Sequence, residues 1–119
     1  MRELLTDLMT TLHQVCPTFL QVKPHTAYPY VTIEPQQMLQ GFPRGPCIVT
    51  LVIKISSRYA GTREILKLAQ RIESLLQGYS PPTFKVSLKV LKSSLVLLAD
   101  GQTRIHTFLV KARLKGEHQ

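Results

Sequence analysis

The residues best suited to chemistry are scattered along this chain. It has four histidines, His13, His25, His106 and His118, and two cysteines, Cys16 and Cys47. A metal site needs several such donors to converge, but the histidines show no HxxH or HExxH spacing and the cysteines form no CxxC pair. Two cysteines are also too few for a disulfide scaffold. We therefore expect no metal or other cofactor, a core or edge histidine with satisfied hydrogen bonds at position 106, and two buried or unreactive thiols.

Signatures of catalysis are missing as well. Nucleophilic catalysis needs a serine or cysteine with a base and an orienting group, and the sequence contains no known elbow or triad motif. The segment GFPRG, residues 41–45, has two glycines and an arginine. It lacks the strand-to-helix context in which a glycine-rich loop binds phosphate. The sequence predicts a protein that is not an enzyme.

Aromatic side chains come together in YPYVTIE, residues 28–34. This segment fits either a patch that grips a ligand or the stiff entrance to a strand. Pro29 lacks a backbone donor and biases Tyr28 towards an extended conformation. A ligand pocket would also need convergent polar groups, which the sequence does not indicate. The strand entrance is therefore favoured, with Val31 and Ile33 facing the helices.

The net charge of +8 is unevenly placed. Residues 1–43 hold two basic and three acidic side chains, whereas residues 44–119 hold 13 basic and four acidic ones. Such asymmetry attracts phosphate or an acidic protein surface. The basic residues that could line one sheet face are Lys85, Lys89, Lys92, Lys111, Arg113 and Lys115. Because no aromatic residues alternate with them to stack on bases, a nucleic-acid-binding module is an alternative that we do not favour.

Hydrophobic periodicity predicts two helices within a single domain spanning residues 1–119. The first covers residues 2–15, and no stretch of the chain has the roughly 18 apolar residues expected of a membrane span. The second lies within GTREILKLAQRIESLLQG, residues 61–78. We expect Thr62 to cap its first turn and Gly78 to adopt a left-handed conformation at its end.

Alternating patterns predict about four strands. The first begins at Tyr30 and is followed by a long loop over residues 36–45. Residues 47–58 form the clearest strand, a third continues through a bulge or bend at KSS into LVLLAD, and Asp100-Gly101 signals a tight hairpin before the last. Residues 116–119 are expected to be a loose tail. The order α-β-β-α-β-β predicts an α+β fold, a mainly antiparallel sheet with two helices on one face.

Three segments in this order, YPYVTIE, CIVTLVIKISSRY and GTREILKLAQRIESLL, resemble the tail completion, or tail terminator, proteins of long-tailed bacteriophages and related gene-transfer particles. The likeness covers about residues 2–115. Members of that family often carry tryptophan at the end of the second long strand, where this chain reads SSRYAG and offers Tyr59 instead. The resemblance implies a non-enzymatic subunit that caps the head-proximal end of the tail tube as a ring, usually six-membered, and presents a surface to the head.

The resemblance also implies partners and a location. The partners are further copies of the chain, the tail tube protein and the head–tail connector protein, with no membrane involved. The location is the head-proximal end of the tail in the virion, and the cytoplasm of the bacterial host during assembly. Another head–tail joining protein is the nearest alternative.

Three groups of residues are candidate interface elements. The first group, in the loop over residues 36–45, is Met38, Leu39, Phe42 and Arg44. Large apolar residues on a surface loop favour a contact, although Phe42 folding back on its own domain is an equal alternative. The second group, on the polar strand face, is Lys54, Arg58, Lys111 and Arg113. These side chains either pair with acidic patches of neighbours or are simply solvated. The third group is Tyr28 and Tyr30.

Overall fold

The computed structural model describes residues 2–40, 47–82 and 84–114, with the backbone alone for residues 39 and 40. Its elements in chain order are α1 (Arg2–His13), β1 (Thr18–Phe19), β2 (Tyr30–Gln40), β3 (Cys47–Ser57), α2 (Arg63–Gln77), β4 (Val86–Leu97) and β5 (Arg104–Leu114). The α+β class is confirmed. The expected order and strand count are not, because the sheet has five strands in the order β1-β2-β3-β5-β4.

The strand that the sequence did not reveal is β1. Its two residues pair in parallel with Val31 and Thr32 of β2, and the N–H of Val31 donates to the carbonyl oxygen of Pro17 at 2.7 Å. Two residues are too few to display the alternation by which strands are recognised. The sheet is therefore mixed rather than wholly antiparallel.

The second correction concerns β2, which runs past Pro35 to Gln40. Its pairing with β3 shifts register between Pro35 and Gln37 and then continues to Gln40 opposite Cys47. A bulge of this kind accommodates a proline that cannot donate to the ladder. The expected loop over 36–45 therefore does not include residues 36–40, and the rest of it lies outside the described residues.

The two helices form where the leucine and isoleucine stripes predict them. The buried residues of α1 are Leu4, Leu8 and Leu12, and those of α2 are Ile65, Ala69, Ile72 and Leu76. The first helix ends at His13, two residues earlier than expected, because the N–H groups of Val15 and Cys16 both turn back to the carbonyl of Leu12. None of the helices in the described part of the chain is long and apolar enough to cross a membrane.

Both predicted caps of α2 are wrong in detail. Thr62 directly precedes the helix but makes no side-chain capping hydrogen bond, and Gly78 has a φ of −96° rather than a positive value. At the start, the hydroxyl of Ser57 instead donates to Glu64 at 2.6 Å, which holds an acidic side chain in the first turn. That placement suits the positive end of the helix dipole. At the end, the N–H of Gly78 still bonds the carbonyl of Ser74, so the last turn needs no left-handed residue.

The core lies between the helices and one face of the sheet. The sheet residues buried there are Val31, Ile33, Val49, Leu51, Ile53, Ile55, Phe108, Val110 and Ala112. These are the alternate positions that the sequence assigned to the apolar face. We call the opposite face of the sheet the open face. It carries Thr32, Glu34, Lys54 and Lys111 among others, and neither of the two described helices packs against it.

Strand β4 changes register at Leu91, directly before the KSS segment where the sequence predicted a bulge or bend. Val86, Leu88 and Val90 pair with alternate residues of β5 and pack partly against the core. The register then shifts between Val90 and Lys92. After the shift Lys92 stands opposite Leu109, on the open face.

The predicted hairpin between β4 and β5 is also confirmed. Gly101 has a φ of +73°, which an L side chain rarely adopts. One carboxylate oxygen of Asp100 accepts the backbone N–H groups of Gln102 at 2.8 Å and Thr103 at 2.9 Å. These bonds fix the turn that brings β4 and β5 together.

Candidate interface surfaces

The aromatic residues at the start of β2 form a compact group on one end of the sheet. We call Phe19, Tyr28, Tyr30 and Arg58 the strand-entrance cluster. The Tyr28 and Tyr30 rings lie 5.1 Å apart between centroids, and Phe19 meets Tyr30 edge-on at 6.4 Å. The guanidinium carbon of Arg58 lies 4.6 Å from the centroid of Tyr28, a cation–π distance. The sequence predicted Tyr28, Tyr30 and Arg58 separately, and the fold brings them together.

Arg58 joins this cluster to the hairpin between β4 and β5. Its Nε donates to the hydroxyl oxygen of buried Thr103 at 3.0 Å, and a terminal nitrogen lies 3.7 Å from a carboxylate oxygen of Asp100. The pKa of Asp100 falls to about 2, chiefly because the backbone N–H groups of Thr103 and Gln102 donate to the carboxylate. Arg58 therefore acts as a brace between the strand entrance and the turn, and it lies beyond the end of β3 rather than on the open face.

The open face carries the predicted basic residues in separate rows. Lys111 stands opposite Thr50 on one side and Lys89 of β4 on the other. Arg113 is in the adjoining row opposite Ile48, whereas Lys54 pairs with Thr107 further along the sheet. The positive charge is thus concentrated towards the Lys111 end of β4 and β5, strands that contain no acidic residue.

Of the predicted loop group, only Met38 can be placed fully. It lies opposite Val49 near the end of β2, and its side chain is 53% exposed. The side chain of Leu39, and all of Phe42 and Arg44, fall outside the described residues.

Sequence reasoning missed an exposed apolar stretch at the far edge of the sheet. We call residues 91–98 the β4 edge segment. Its large exposed side chains are Leu91, Leu95, Val96, Leu97 and Leu98. The available signal was the run LVLLA, which lacks the alternation of a strand with one buried face. The run predicts a strand, and its lack of alternation indicates apolar side chains on both faces.

Burial raises the pKa of Cys16 and of Tyr79. Burial, with a smaller contribution from Glu64, raises the pKa of Cys16 to about 11. Burial and a hydrogen bond to the Asp7 carboxylate raise the pKa of Tyr79. Within residues 2–40, 47–82 and 84–114, no three histidine, cysteine or acidic side chains are grouped so that they could hold a metal ion.

His106 makes fewer hydrogen bonds than the sequence suggested. Its ring stacks on Phe108, with centroids 4.7 Å apart, and burial lowers its pKa below 6.5. Its Nδ1 is buried and finds no hydrogen-bond partner among the described residues. The expectation of a satisfied core histidine is therefore wrong on this point.

Comparison with known proteins found a structural relative but no sequence relative. No protein-family model matches the chain, and no curated protein matches it. Among solved structures, it is similar to a chain of the virion of a native gene transfer agent particle. The TM-score is 0.71 at 16% sequence identity, and the match covers 92% of this chain and 84% of the other. At this identity the likeness shows a shared fold.

Proposed function

We propose that this protein is a tail terminator: a non-enzymatic subunit of a phage-like particle that assembles into a ring on the head-proximal end of the tail tube. The observation that carries the proposal is the fold shared with a gene transfer agent virion chain over 92% of the length. The tail-terminator motifs support it, because all three fall on elements of that shared fold. YPYVTIE enters β2, CIVTLVIKISSRY forms β3, and GTREILKLAQRIESLL opens α2.

In the proposed mechanism, a ring of subunits caps the tail tube because its two faces differ. A heterologous contact between neighbours closes into a ring when the rotation permits it. One face of that ring matches the last ring of the tube, while the other does not repeat the polymerising surface and is left for the head–tail connector. The strand-entrance cluster and the basic end of the open face are the candidate contact regions, together with Met38.

The test is assembly on a tube. Purified chain is mixed with a polymerising phage tail tube protein, and tubes are examined by negative-stain electron microscopy. We expect rings at one end only and shorter tubes as the amount of chain increases. The test variant is Arg58→Ala, which alters the strand-entrance cluster while leaving the core intact and should weaken capping, and the matched control is Lys54→Ala, a surface change elsewhere. A chain that neither binds tube ends nor alters tube length contradicts the proposal.

Nucleic-acid binding is the second candidate, favoured by one observation. Lys89 and Lys111 stand directly opposite each other across β4 and β5, with Arg113 in the next row. Like charges placed together attract phosphates. Fluorescence anisotropy with labelled DNA and RNA at two salt concentrations tests this, using Lys111→Ala against Lys54→Ala. Absence of binding at low salt removes this candidate.

A further inference from the structure

The β4 edge segment leaves backbone groups pointing away from the sheet. β4 is the last strand in the sheet order, paired on one side only. The N–H of Leu98 donates to the carbonyl of Thr103 at 2.8 Å, which directs the groups of Leu98 towards β5. In an antiparallel ladder this direction alternates from residue to residue. Leu97, Leu95 and Ser93 therefore present their N–H and C=O groups to the unpaired edge of the sheet, away from β5.

The side chains of this segment divide into two kinds. Leu95 and Leu97 stand opposite His106 and Arg104 and lie on the side of the sheet that carries the helices. Lys92 stands opposite Leu109 on the open face, next to the row of Lys89 and Lys111. Ser94 and Val96, opposite Thr107 and Ile105, follow Lys92 on the open face. A strand added at this edge would therefore meet leucines on one of its faces, and Lys92 followed by Ser94 and Val96 on the other.

We propose that the β4 edge segment binds an extended segment of a second protein in which apolar and acidic residues alternate. Its backbone would extend the sheet by one strand, as in other cases of strand addition. Its apolar side chains would pack beside Leu95 and Leu97, and its carboxylates would lie beside Lys89 and Lys92. Cross-strand neighbours in a sheet lie close enough for both contacts.

The charges argue against a second copy of this chain as the occupant. Among the strands that the structure describes, the only acidic residue is Glu34, in β2. That strand is already paired with β3, and beside Val31 and Thr32 with β1. Beyond Thr32 the outer edge of β2 has no partner strand among the described residues, but this stretch contains Pro35 and a single acidic residue, so it lacks the required alternation. The inference goes beyond the tail-terminator proposal and does not depend on it.

The experiment uses a synthetic peptide as the probe. A fluorescein-labelled peptide of about eight residues, alternating valine and glutamate and blocked at both ends, is titrated with the full-length chain by fluorescence anisotropy. Control peptides replace glutamate by lysine, or group all valines before all glutamates. We expect the alternating acidic peptide to bind at least about tenfold more tightly than either control, and to weaken as salt is raised.

Two pairs of variants locate the binding. Ser93→Pro removes an outward N–H without breaking the ladder to β5, and Ser93→Ala is its control; we expect proline to weaken binding about three- to tenfold. Lys92→Glu should weaken it about fivefold relative to Lys54→Glu, the same charge change far from the edge. Circular dichroism verifies that each variant is folded.

Several results would overturn the inference. These are equal affinity for the acidic and lysine peptides, equal affinity of the Ser93→Pro and Ser93→Ala variants, or an equal loss in Lys92→Glu and Lys54→Glu. Sedimentation that shows the wild-type chain self-associating while Ser93→Pro remains monomeric would assign the edge to a second copy. Tube capping is measured separately, so its outcome leaves this test unchanged.

Discussion

Arg58 holds the strand entrance to the β4–β5 hairpin, so its removal should lower stability by a measurable amount. Arg58→Ala loses the contact with Tyr28 at 4.6 Å, worth about 0.5–1 kcal/mol at an exposed site. It also loses the 3.0 Å bond to Thr103, worth about 1 kcal/mol. The ion pair with Asp100 joins two half-exposed side chains at 3.7 Å, so it adds little. We expect the free energy of unfolding to fall by about 1–2 kcal/mol.

Urea unfolding followed by circular dichroism measures this difference. The midpoint should move to lower urea with an unchanged slope, because the change alters stability rather than the surface exposed on unfolding. Arg58→Lys retains the charge but loses the planar stacking and the Nε donor, so it should recover less than half of the loss. Lys54→Ala, an exposed change within the preceding strand β3, should stay within about 0.5 kcal/mol of the wild type.

The reasoning fails if Arg58→Ala and Lys54→Ala are equally stable. It also fails if Arg58→Lys matches the wild type, since charge alone would then account for the brace. A double variant with Tyr28→Ala separates the two contacts. If the ring contact is real, the two single losses should sum to more than the loss in the double variant.

Three further predictions concern the core, the histidine and the thiols. Phe108→Ala should cost about 3–5 kcal/mol in urea unfolding, because the ring is fully buried at the centre of β5. Burial lowers the pKa of His106 below 6.5, so as the pH falls the unfolded chain takes up the proton before the folded chain does. The melting temperature should therefore fall as the pH drops below about 6.5. In His106→Phe this dependence of the melting temperature on pH should be weaker. A thiol reagent at neutral pH should label half-buried Cys47 well before Cys16, which is buried and has a pKa of about 11.

Each of these has a result that contradicts it. A loss below about 1 kcal/mol for Phe108→Ala would mean that the core is repacked or loosely built. An unchanged pH slope in His106→Phe would assign the dependence to other groups. Equal labelling rates for the two cysteines would show that Cys16 is reached through frequent local opening.

The faces of the long strands could be predicted from the sequence because burial on one side imposes alternation. Val49, Leu51, Ile53 and Ile55 show it without interruption, and α2 shows the corresponding helical stripe. The hairpin at Asp100-Gly101 could be predicted equally well, since few residues other than glycine adopt a positive φ. Here a single local requirement decides both the residue type and the structure.

The features that the sequence did not predict depend on contacts between distant segments of the chain, which local sequence patterns do not display. Proline at position 35 signals a break, but pairing with β3 and a bulge keep β2 extended through it. In the sequence Arg58 is one basic residue among many, and only the fold places Tyr28 and Thr103 beside it. The edge position of β4 follows from strand order, and strand order is set by the packing of the whole sheet.

The register shift in β4 also determines which changes in chain length this strand can absorb. Deleting Leu91 would remove the extra residue and leave Lys92 opposite Leu109, so every later side chain would keep its face. Deleting one residue further on, at Ser94, would turn Leu95 and Leu97 to the open face, because strand side chains alternate. We expect relatives of this protein to gain or lose single residues at position 91 and to keep the spacing from there to the hairpin constant.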